Sequence, residues 1–158
     1  TRCLSDWSSD VCSSDLIIAL LKRLCREHKT AVMLVTHDMG VIAETADRVA
    51  VMYAGRVAEI GPVRDVVKHA QHPYTKGLMG SIPSLGERHD RLTQIDGAMP
   101  RLTEIPKGCA FNPRCTVHGR RCMVERPELM SAGASRAACW RHDAGGVGQP
   151  ITKETVDA

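Results

Sequence analysis

Aromatic residues are scarce in this sequence: one Phe, two Trp and two Tyr occur among 158 residues. Proteins that bind single-stranded nucleic acid stack bases on aromatic rings, and so few rings argue against that activity. Lys and Arg alternate with Asp and Glu, and the formal net charge is only +3, so no basic block could track a phosphate backbone. No apolar run approaches the roughly 20 residues that span a bilayer. We therefore expect no nucleic-acid partner and only a peripheral association with a membrane.

The first 16 residues lack any apolar periodicity, and they contain no central apolar region of the kind that defines a signal peptide. Residues 6–16 agree at all eleven positions with one reading frame of a common sequencing adapter. We therefore interpret residues 1–16 as an adapter artefact and leave them out of the prediction of the fold.

Beyond residue 16, helical and strand patterns alternate, which is typical of an α/β fold. Asp38 suits the N-cap of a helix, and Ala54-Gly55 suits the tight turn of a hairpin. The predicted helices cover residues 17–28, 39–46, 63–70 and 73–82, and the predicted strands cover residues 31–35, 49–53 and 57–60. Pro and Gly interrupt residues 84–142 so often that we predict irregular, loop-rich structure there and a disordered tail over residues 143–158.

The predicted strand at residues 31–35 is wholly apolar and ends in Thr36-His37-Asp38. Ligands of open parallel sheets bind beyond the carboxyl ends of the strands, so a hydroxyl, an imidazole and a carboxylate at this position indicate a ligand site. Asp38 is interpreted as the cap of the next helix. His37 could be a ligand-binding residue or a structural histidine that caps the same helix, and the pattern alone leaves both roles open.

Three stretches around His37 closely resemble the end of the nucleotide-binding subunit of ABC transporters: residues 34–39 (LVTHDM), residues 46–57 (ADRVAVMYAGRV) and Gly61-Pro62. The resemblance implies that His37 is the switch histidine, a catalytic and ATP-binding residue that contacts the γ-phosphate and helps to arrange the attacking water. It also implies a P-loop-type nucleotide-binding domain, truncated to its C-terminal strands and helices. The complete protein would use ATP and Mg as cofactors.

Residues 72–78 (HPYTKGL) narrow the resemblance to the subunits that energise dipeptide, oligopeptide and nickel importers. The expected partners are then a second ATPase subunit and the transmembrane permease subunits, at the cytoplasmic face of the bacterial inner membrane. The expected division of the chain is an adapter segment at residues 1–16, part of an ABC ATPase domain at 17–83, a Cys-rich C-terminal extension of the peptide-importer type at 84–142, and a tail at 143–158.

Five cysteines remain once the adapter-like segment is excluded, and four of them lie in the region rich in Pro and Gly. Intervals of five, six and sixteen residues separate these four, which are Cys109, Cys115, Cys122 and Cys139. Four thiolates could hold zinc or an iron–sulfur cluster, but unligated thiols or disulfides satisfy the same count. The resemblance implies a [4Fe-4S] cluster on these four positions. Cys25 is expected in a helix core, and His118 and His142 at the surface.

The sequence contains no phosphate loop of the form G-x-x-x-x-G-K-[ST] and no segment resembling an LSGGQ signature. Adapter-like residues occupy the position expected for the acidic pair that holds magnesium. We therefore expect this chain to be a fragment that neither binds ATP tightly nor hydrolyses it alone, although the complete protein would be an ATP hydrolase. The alternative is a stand-alone metal- or iron–sulfur-binding module in which the α/β part is only a scaffold.

Overall fold

The structure is a computed structural model that describes residues 9–81 and 94–147. The start of the adapter-like segment, the end of the predicted 73–82 helix, the start of the predicted extension and most of the predicted tail therefore lie outside the described residues. The described chain packs as two units, which divide between Thr45 and Ala46. Each unit is described by itself.

The first unit contains helix α1 (Ser9–His28) and helix α2 (Met39–Thr45). Both helices were predicted, but α1 begins eight residues earlier than the expected start at residue 17, inside the adapter-like segment. Residues 9–16 contain neither Pro nor Gly, so nothing in the backbone interrupts the helix there. Helix α2 follows Asp38, as expected.

The prediction of a buried strand at residues 31–35 is wrong. This stretch has no strand conformation, and 90% of Met33 and 87% of Val35 are exposed. A strand exists only where a neighbouring strand accepts and donates its backbone hydrogen bonds, and no described strand pairs with this stretch. Residues 31–35 are apolar, as a buried strand requires, but the described residues contain no strand that pairs with them.

The second unit begins with a hairpin of strand β1 (Arg48–Tyr53) and strand β2 (Arg56–Pro62). Alternate residues of β1 are buried, as expected of a strand with one face on a core. Ala54 and Gly55 turn the chain with φ of 46° and 77°, and two positive φ values give a turn whose twist matches that of the strands. The predicted hairpin is confirmed.

Two further strands, β3 (Met130–Ala132) and β4 (Ser135–Ala137), complete a four-stranded antiparallel sheet in the order β1-β2-β4-β3. Glu59 of β2 faces Ala137 of β4 in the register. A Cβ atom at Gly61 would lie 2.6 Å from the Cβ of Ser135, so a glycine is needed where β2 approaches β4. The α/β class is confirmed, but the described sheet is antiparallel. The prediction of wholly irregular structure over residues 84–142 missed both strands, because three residues are too few to show a period.

The second unit also contains short helical segments. Helices α3 (Val63–Lys68) and α4 (Pro73–Gly80) confirm two predictions, with Pro62 before the first and Pro73 opening the second. The later part adds helix α5 (Arg120–Val124) and two 3-10 turns at Asn112–Arg114 and Trp140–His142. No helix in the described ranges is both long and apolar enough to cross a bilayer.

Three of the few aromatic residues meet in the core of the second unit. The ring centroids of Tyr53 and Tyr74 are 4.7 Å apart, and Phe111 lies 5.3 Å from Tyr53 and 5.6 Å from Tyr74. These tilted and edge-on arrangements are the favourable ones for aromatic pairs. Phe111, which is only 4% exposed, thereby anchors the loop-rich part of the chain to the hairpin.

The carboxylate of Glu59 is fully buried on β2 and joins three segments of the second unit. Its oxygens accept the backbone N–H groups of Gln71 and His72, each at 2.9 Å, and the hydroxyl of Ser135 at 3.0 Å. A buried carboxylate is tolerated only when such donors replace its lost water. Glu59 therefore ties the hairpin to the start of α4 and to β4.

Candidate functional site

His37 lies in the short segment before α2, between two residues whose side chains make local hydrogen bonds. The hydroxyl of Thr36 accepts the backbone N–H of Asp38 at 3.0 Å. The Asp38 carboxylate accepts the N–H groups of Gly40 at 2.9 Å and Val41 at 3.2 Å, which confirms it as the cap of α2. His37 and Asp38 are both exposed, whereas Thr36 is half-buried, so the imidazole of His37 is accessible to solvent.

All four predicted cysteines line one small pocket in the second unit. Cys109 and Cys115 flank the 3-10 turn at Asn112–Arg114, Cys122 lies in α5, and Cys139 lies between β4 and the last 3-10 turn. Cys122 and Cys139 are buried, and Cys109 and Cys115 are half-buried. The structure therefore brings together four residues that span 31 positions of the sequence, from Cys109 to Cys139.

Backbone contacts fix the first cysteine against the third. The N–H of Cys109 donates to the carbonyl of Cys122 at 2.8 Å. Gly108 makes this approach possible, since a Cβ atom there would collide with the Cys122 carbonyl and lie 2.6 Å from the carbonyl carbon of Met123. The Asn112 side chain donates to the Cys109 carbonyl at 2.8 Å and so closes the turn that leads to Cys115.

Burial raises the pKa of the Cys109 thiol to about 11, and burial also raises the pKa of Cys115 and of Cys139. The other sulfurs of the pocket contribute in the same direction, because neighbouring thiolates would repel each other. As free thiols these groups stay protonated at neutral pH and are poor nucleophiles. A bound cation would reverse this preference.

Three of the sulfurs accept a backbone N–H from the residue two positions further along the chain. The donors are Phe111 for Cys109, Val117 for Cys115 and Arg141 for Cys139, and each bond lowers the thiol pKa against the larger effect of burial. A hydrogen bond to sulfur favours the thiolate, which is the form that binds metals. The donor set and its surroundings therefore fit a thiolate-ligated metal or cluster.

The side chains do not stand at ligating distances in this structure. Among the residues described, no group of three or more Cys, His, Asp and Glu side chains is arranged to hold a metal ion. The four cysteines line the same pocket, but their side chains are not arranged around one metal position.

Two of the remaining expectations need correction. His118 is half-buried and lines the cysteine pocket instead of lying at the surface, and its Nδ1 lies 2.6 Å from the carbonyl oxygen of Cys115. That contact follows from its place three residues after Cys115, on the same turn. Cys25 is half-buried on α1 and is not a core residue. His142 is also half-buried, with Nε2 3.4 Å from the Gln71 carbonyl oxygen.

His72 is a site residue that sequence reasoning did not single out. It is 3% exposed, and its Nδ1 accepts the N–H of Tyr74 at 3.1 Å, so the ring caps α4. Burial lowers the pKa of His72 to about 4 even though Glu59 acts in the opposite direction. The neutral ring lines the cysteine pocket, and it also lines a second cavity of about 220 Å³ that shares Cys109. The signal in the sequence was a His before the Pro that opens a helix.

A family profile described as "Oligopeptide/dipeptide transporter, C-terminal region" matches residues 58–122, which hold three of the four cysteines. The chain is 44% identical over 135 residues to the dipeptide transport ATP-binding protein DppD of Bacillus subtilis (strain 168), covering 85% of this chain and 40% of that protein. It is 38% identical over 141 residues to the oligopeptide transport ATP-binding protein AppD of the same strain, covering 89% and 43%.

A third relative is the oligopeptide transport ATP-binding protein OppD of Haemophilus influenzae (strain ATCC 51907 / DSM 11121 / KW20 / Rd), 41% identical over 132 residues, with 83% of this chain and 41% of that protein covered. The chain thus spans about 40% of the length of the curated relatives it matches. These sequence matches define a segment of the ATP-binding subunit of an ABC transporter. Within that class the chain belongs to the dipeptide/oligopeptide transporter family, whose C-terminal portion it matches.

The lowered pKa of the buried His72 predicts that the free energy of unfolding depends on pH. Because its pKa falls from 6.5 to about 4 on folding, the unfolded chain binds the extra proton first, and stability is lost as pH drops from 6.5 towards 4. The full loss should be up to about 3 kcal/mol. Urea unfolding at pH 7 and pH 4.5 measures it. His72→Asn keeps a capping oxygen and should remove most of this difference, whereas His69→Asn, at an exposed position, should leave it unchanged. Equal pH dependence in both variants would exclude His72 as the source.

Proposed function

We propose that this chain is the part of a peptide-importing ABC transporter ATPase that contributes the switch histidine His37 and a four-cysteine metal site. The observation that carries the proposal is the match to peptide transport ATP-binding proteins over about 85% of the chain. The relatives act on dipeptides and oligopeptides by name, so the proposed cargo is a peptide. The complete protein would bind ATP with Mg, pair with a second ATPase subunit and drive permease subunits from the cytoplasmic face of the membrane.

The exposed ring of His37 is the proposed contact to a nucleotide. Thr36 and Asp38 are engaged in local hydrogen bonds around the start of α2, whereas the His37 ring is exposed beside them. An imidazole can donate a hydrogen bond to the negative charge that develops on a γ-phosphate, and it can respond to neighbouring groups near neutral pH. The capped start of α2 would hold the backbone of His37 in place during that contact.

The phosphates themselves would need a cradle of backbone N–H groups with a Lys and a Ser or Thr. No stretch of this sequence has that pattern. His37 alone supplies one hydrogen bond, which is worth about 1–3 kcal/mol and falls far short of micromolar affinity. We therefore propose that the chain by itself neither retains ATP nor turns it over.

A titration of the 158-residue chain with a fluorescent ATP analogue in the presence of Mg tests this proposal. We expect no saturation at micromolar nucleotide, for the chain or for His37→Ala. His28→Ala, which removes an exposed imidazole from α1, serves as the matched control. Micromolar binding that His37→Ala abolishes and His28→Ala leaves intact would contradict the proposed incompleteness of the site.

We further propose that Cys109, Cys115, Cys122 and Cys139 hold a [4Fe-4S] cluster, with zinc as the competing occupant. Support comes from the pocket that all four cysteines line and from the three backbone N–H groups that donate to sulfur and favour the thiolate. Either occupant would join four segments that contribute few large apolar side chains. Its binding free energy would then stabilise the fold of residues 94–147.

Anaerobic purification followed by visible absorption and metal analysis distinguishes the occupants. A cluster should give a brown protein with iron and sulfide, and zinc a colourless protein with one metal ion per chain. Cys122→Ser should lose the metal, while Cys25→Ser, which alters a cysteine of α1 outside the pocket, should retain it. A colourless, metal-free protein whose four thiols all react with a thiol reagent would contradict the proposed site.

A further inference from the structure

Arg121 precedes Cys122 in α5 and makes a set of contacts that no other described side chain near the pocket matches. Its Nε donates to Glu125 Oε2 at 2.8 Å, and its Nη1 lies 2.5 Å from Asp143 Oδ2. The central guanidinium carbon lies 3.5 Å from the ring centroid of Trp140, which is cation–π geometry. One side chain thus holds two carboxylates and an aromatic ring.

These contacts join the segments that carry the last two cysteines. Glu125 follows α5, which carries Cys122, whereas Trp140 comes directly after Cys139 and Asp143 ends the same 3-10 turn. The indole N–H of Trp140 donates back to the carbonyl of Glu125 at 3.1 Å, so the connection runs in both directions. By contrast, Cys109 is held against Cys122 through the backbone alone.

The ion pairs of Arg121 with Glu125 and Asp143 contribute little to the free energy of folding. The side chains of Arg121, Asp143 and Glu125 are 30%, 34% and 57% exposed, and exposed ion pairs contribute little to stability. Their geometry is restrictive, because a planar guanidinium that stacks on one ring and binds two carboxylates has a single orientation. The hydrogen bond from Arg121 also lowers the pKa of Asp143, which keeps this pair ionised under mildly acidic conditions.

We propose that Arg121 is a positioning residue that holds Cys122 and Cys139 in one pocket, at a separation that lets both sulfurs reach a common ligand. The proposal rests on the proposed four-cysteine site for its function, but the positioning itself exists in the metal-free protein. Arg121 acts through its contacts with Trp140 and Asp143 on the segment that carries Cys139.

The test measures the proximity of the two thiols directly, without a metal. In a background where Cys25, Cys109 and Cys115 are replaced by Ser, oxidised glutathione converts the Cys122 and Cys139 thiols to a disulfide. The two thiols lose two electrons and two protons, and each glutathione disulfide yields two glutathione thiols. The equilibrium with reduced glutathione gives the effective concentration of the pair. Mass spectrometry of the peptides confirms which cysteines are joined, including any contribution from Cys3 or Cys12.

We expect Arg121→Gln to lower this effective concentration about tenfold, as a looser tether would. Arg120→Gln, at the exposed neighbouring position, should leave it unchanged. Arg121→Lys keeps the charge but loses the second carboxylate bond and the stacking on Trp140. Its effective concentration should therefore lie between those of Arg121→Gln and Arg120→Gln. If circular dichroism shows that Arg121→Gln is unfolded, Arg121→Lys serves as the test variant. An equal effective concentration in the Arg121 and Arg120 variants would overturn the proposal.

A second measurement with all four pocket cysteines present uses cobalt(II), whose charge-transfer absorption grows with the number of bound thiolates. We expect Arg121→Gln to reduce the intensity per bound cobalt, while Arg120→Gln keeps it. If the parent chain binds no metal but Arg121→Gln still lowers the effective concentration, the four-cysteine function fails and the positioning role stands. If the parent binds cobalt and both variants match it in both measurements, the positioning role fails and the site stands.

Discussion

The buried carboxylate of Glu59 is the interaction on which the second unit depends. A charged group with no exposed surface is costly unless every oxygen has donors, and here the donors come from the segment before α4 and from β4. Each of them lies 12 or more residues away from Glu59 in the sequence. The carboxylate therefore holds the hairpin, the segment before α4 and strand β4 in one arrangement.

The position of the cysteine pocket follows from this tie. Glu59 fixes the N–H of His72, whose neutral ring then caps α4 and forms a wall of the pocket. On the other side, Ser135 aligns β4 with β2, and Cys139 follows β4 by two residues. Burial lowers the pKa of His72 more than the nearby Glu59 raises it, so the His72 ring is neutral at pH 7. No second charge is then buried beside the Glu59 carboxylate. The geometry of the pocket thus depends on this polar network together with the aromatic core, whose Phe111 also lines the pocket.

Local patterns predicted much of this molecule. The helices, the β1–β2 hairpin with its Ala54-Gly55 turn and the Asp38 cap depend on neighbours in the sequence, and all are present. The grouping of four cysteines could also be predicted, since a region poor in large apolar residues needs another source of cohesion. The prediction of a strand at residues 31–35 was wrong, because an apolar run indicates only that burial is favourable. It does not show that a pairing strand is available. Strands β3 and β4 could not be predicted, because three residues are too few to show a period. The role of Glu59 could not be predicted either, because its partners lie 12, 13 and 76 residues away in the sequence.

The most direct test of this account is the free energy of unfolding of Glu59→Gln, measured by urea denaturation at pH 7 beside Glu104→Gln at an exposed position. The new amide NH2 would face backbone N–H groups that need an acceptor, so Glu59→Gln should lose about 3 kcal/mol, while Glu104→Gln should lose less than about 0.5 kcal/mol. A Glu59→Gln protein that unfolds at the same urea concentration as Glu104→Gln would contradict the claim that the buried carboxylate organises the unit.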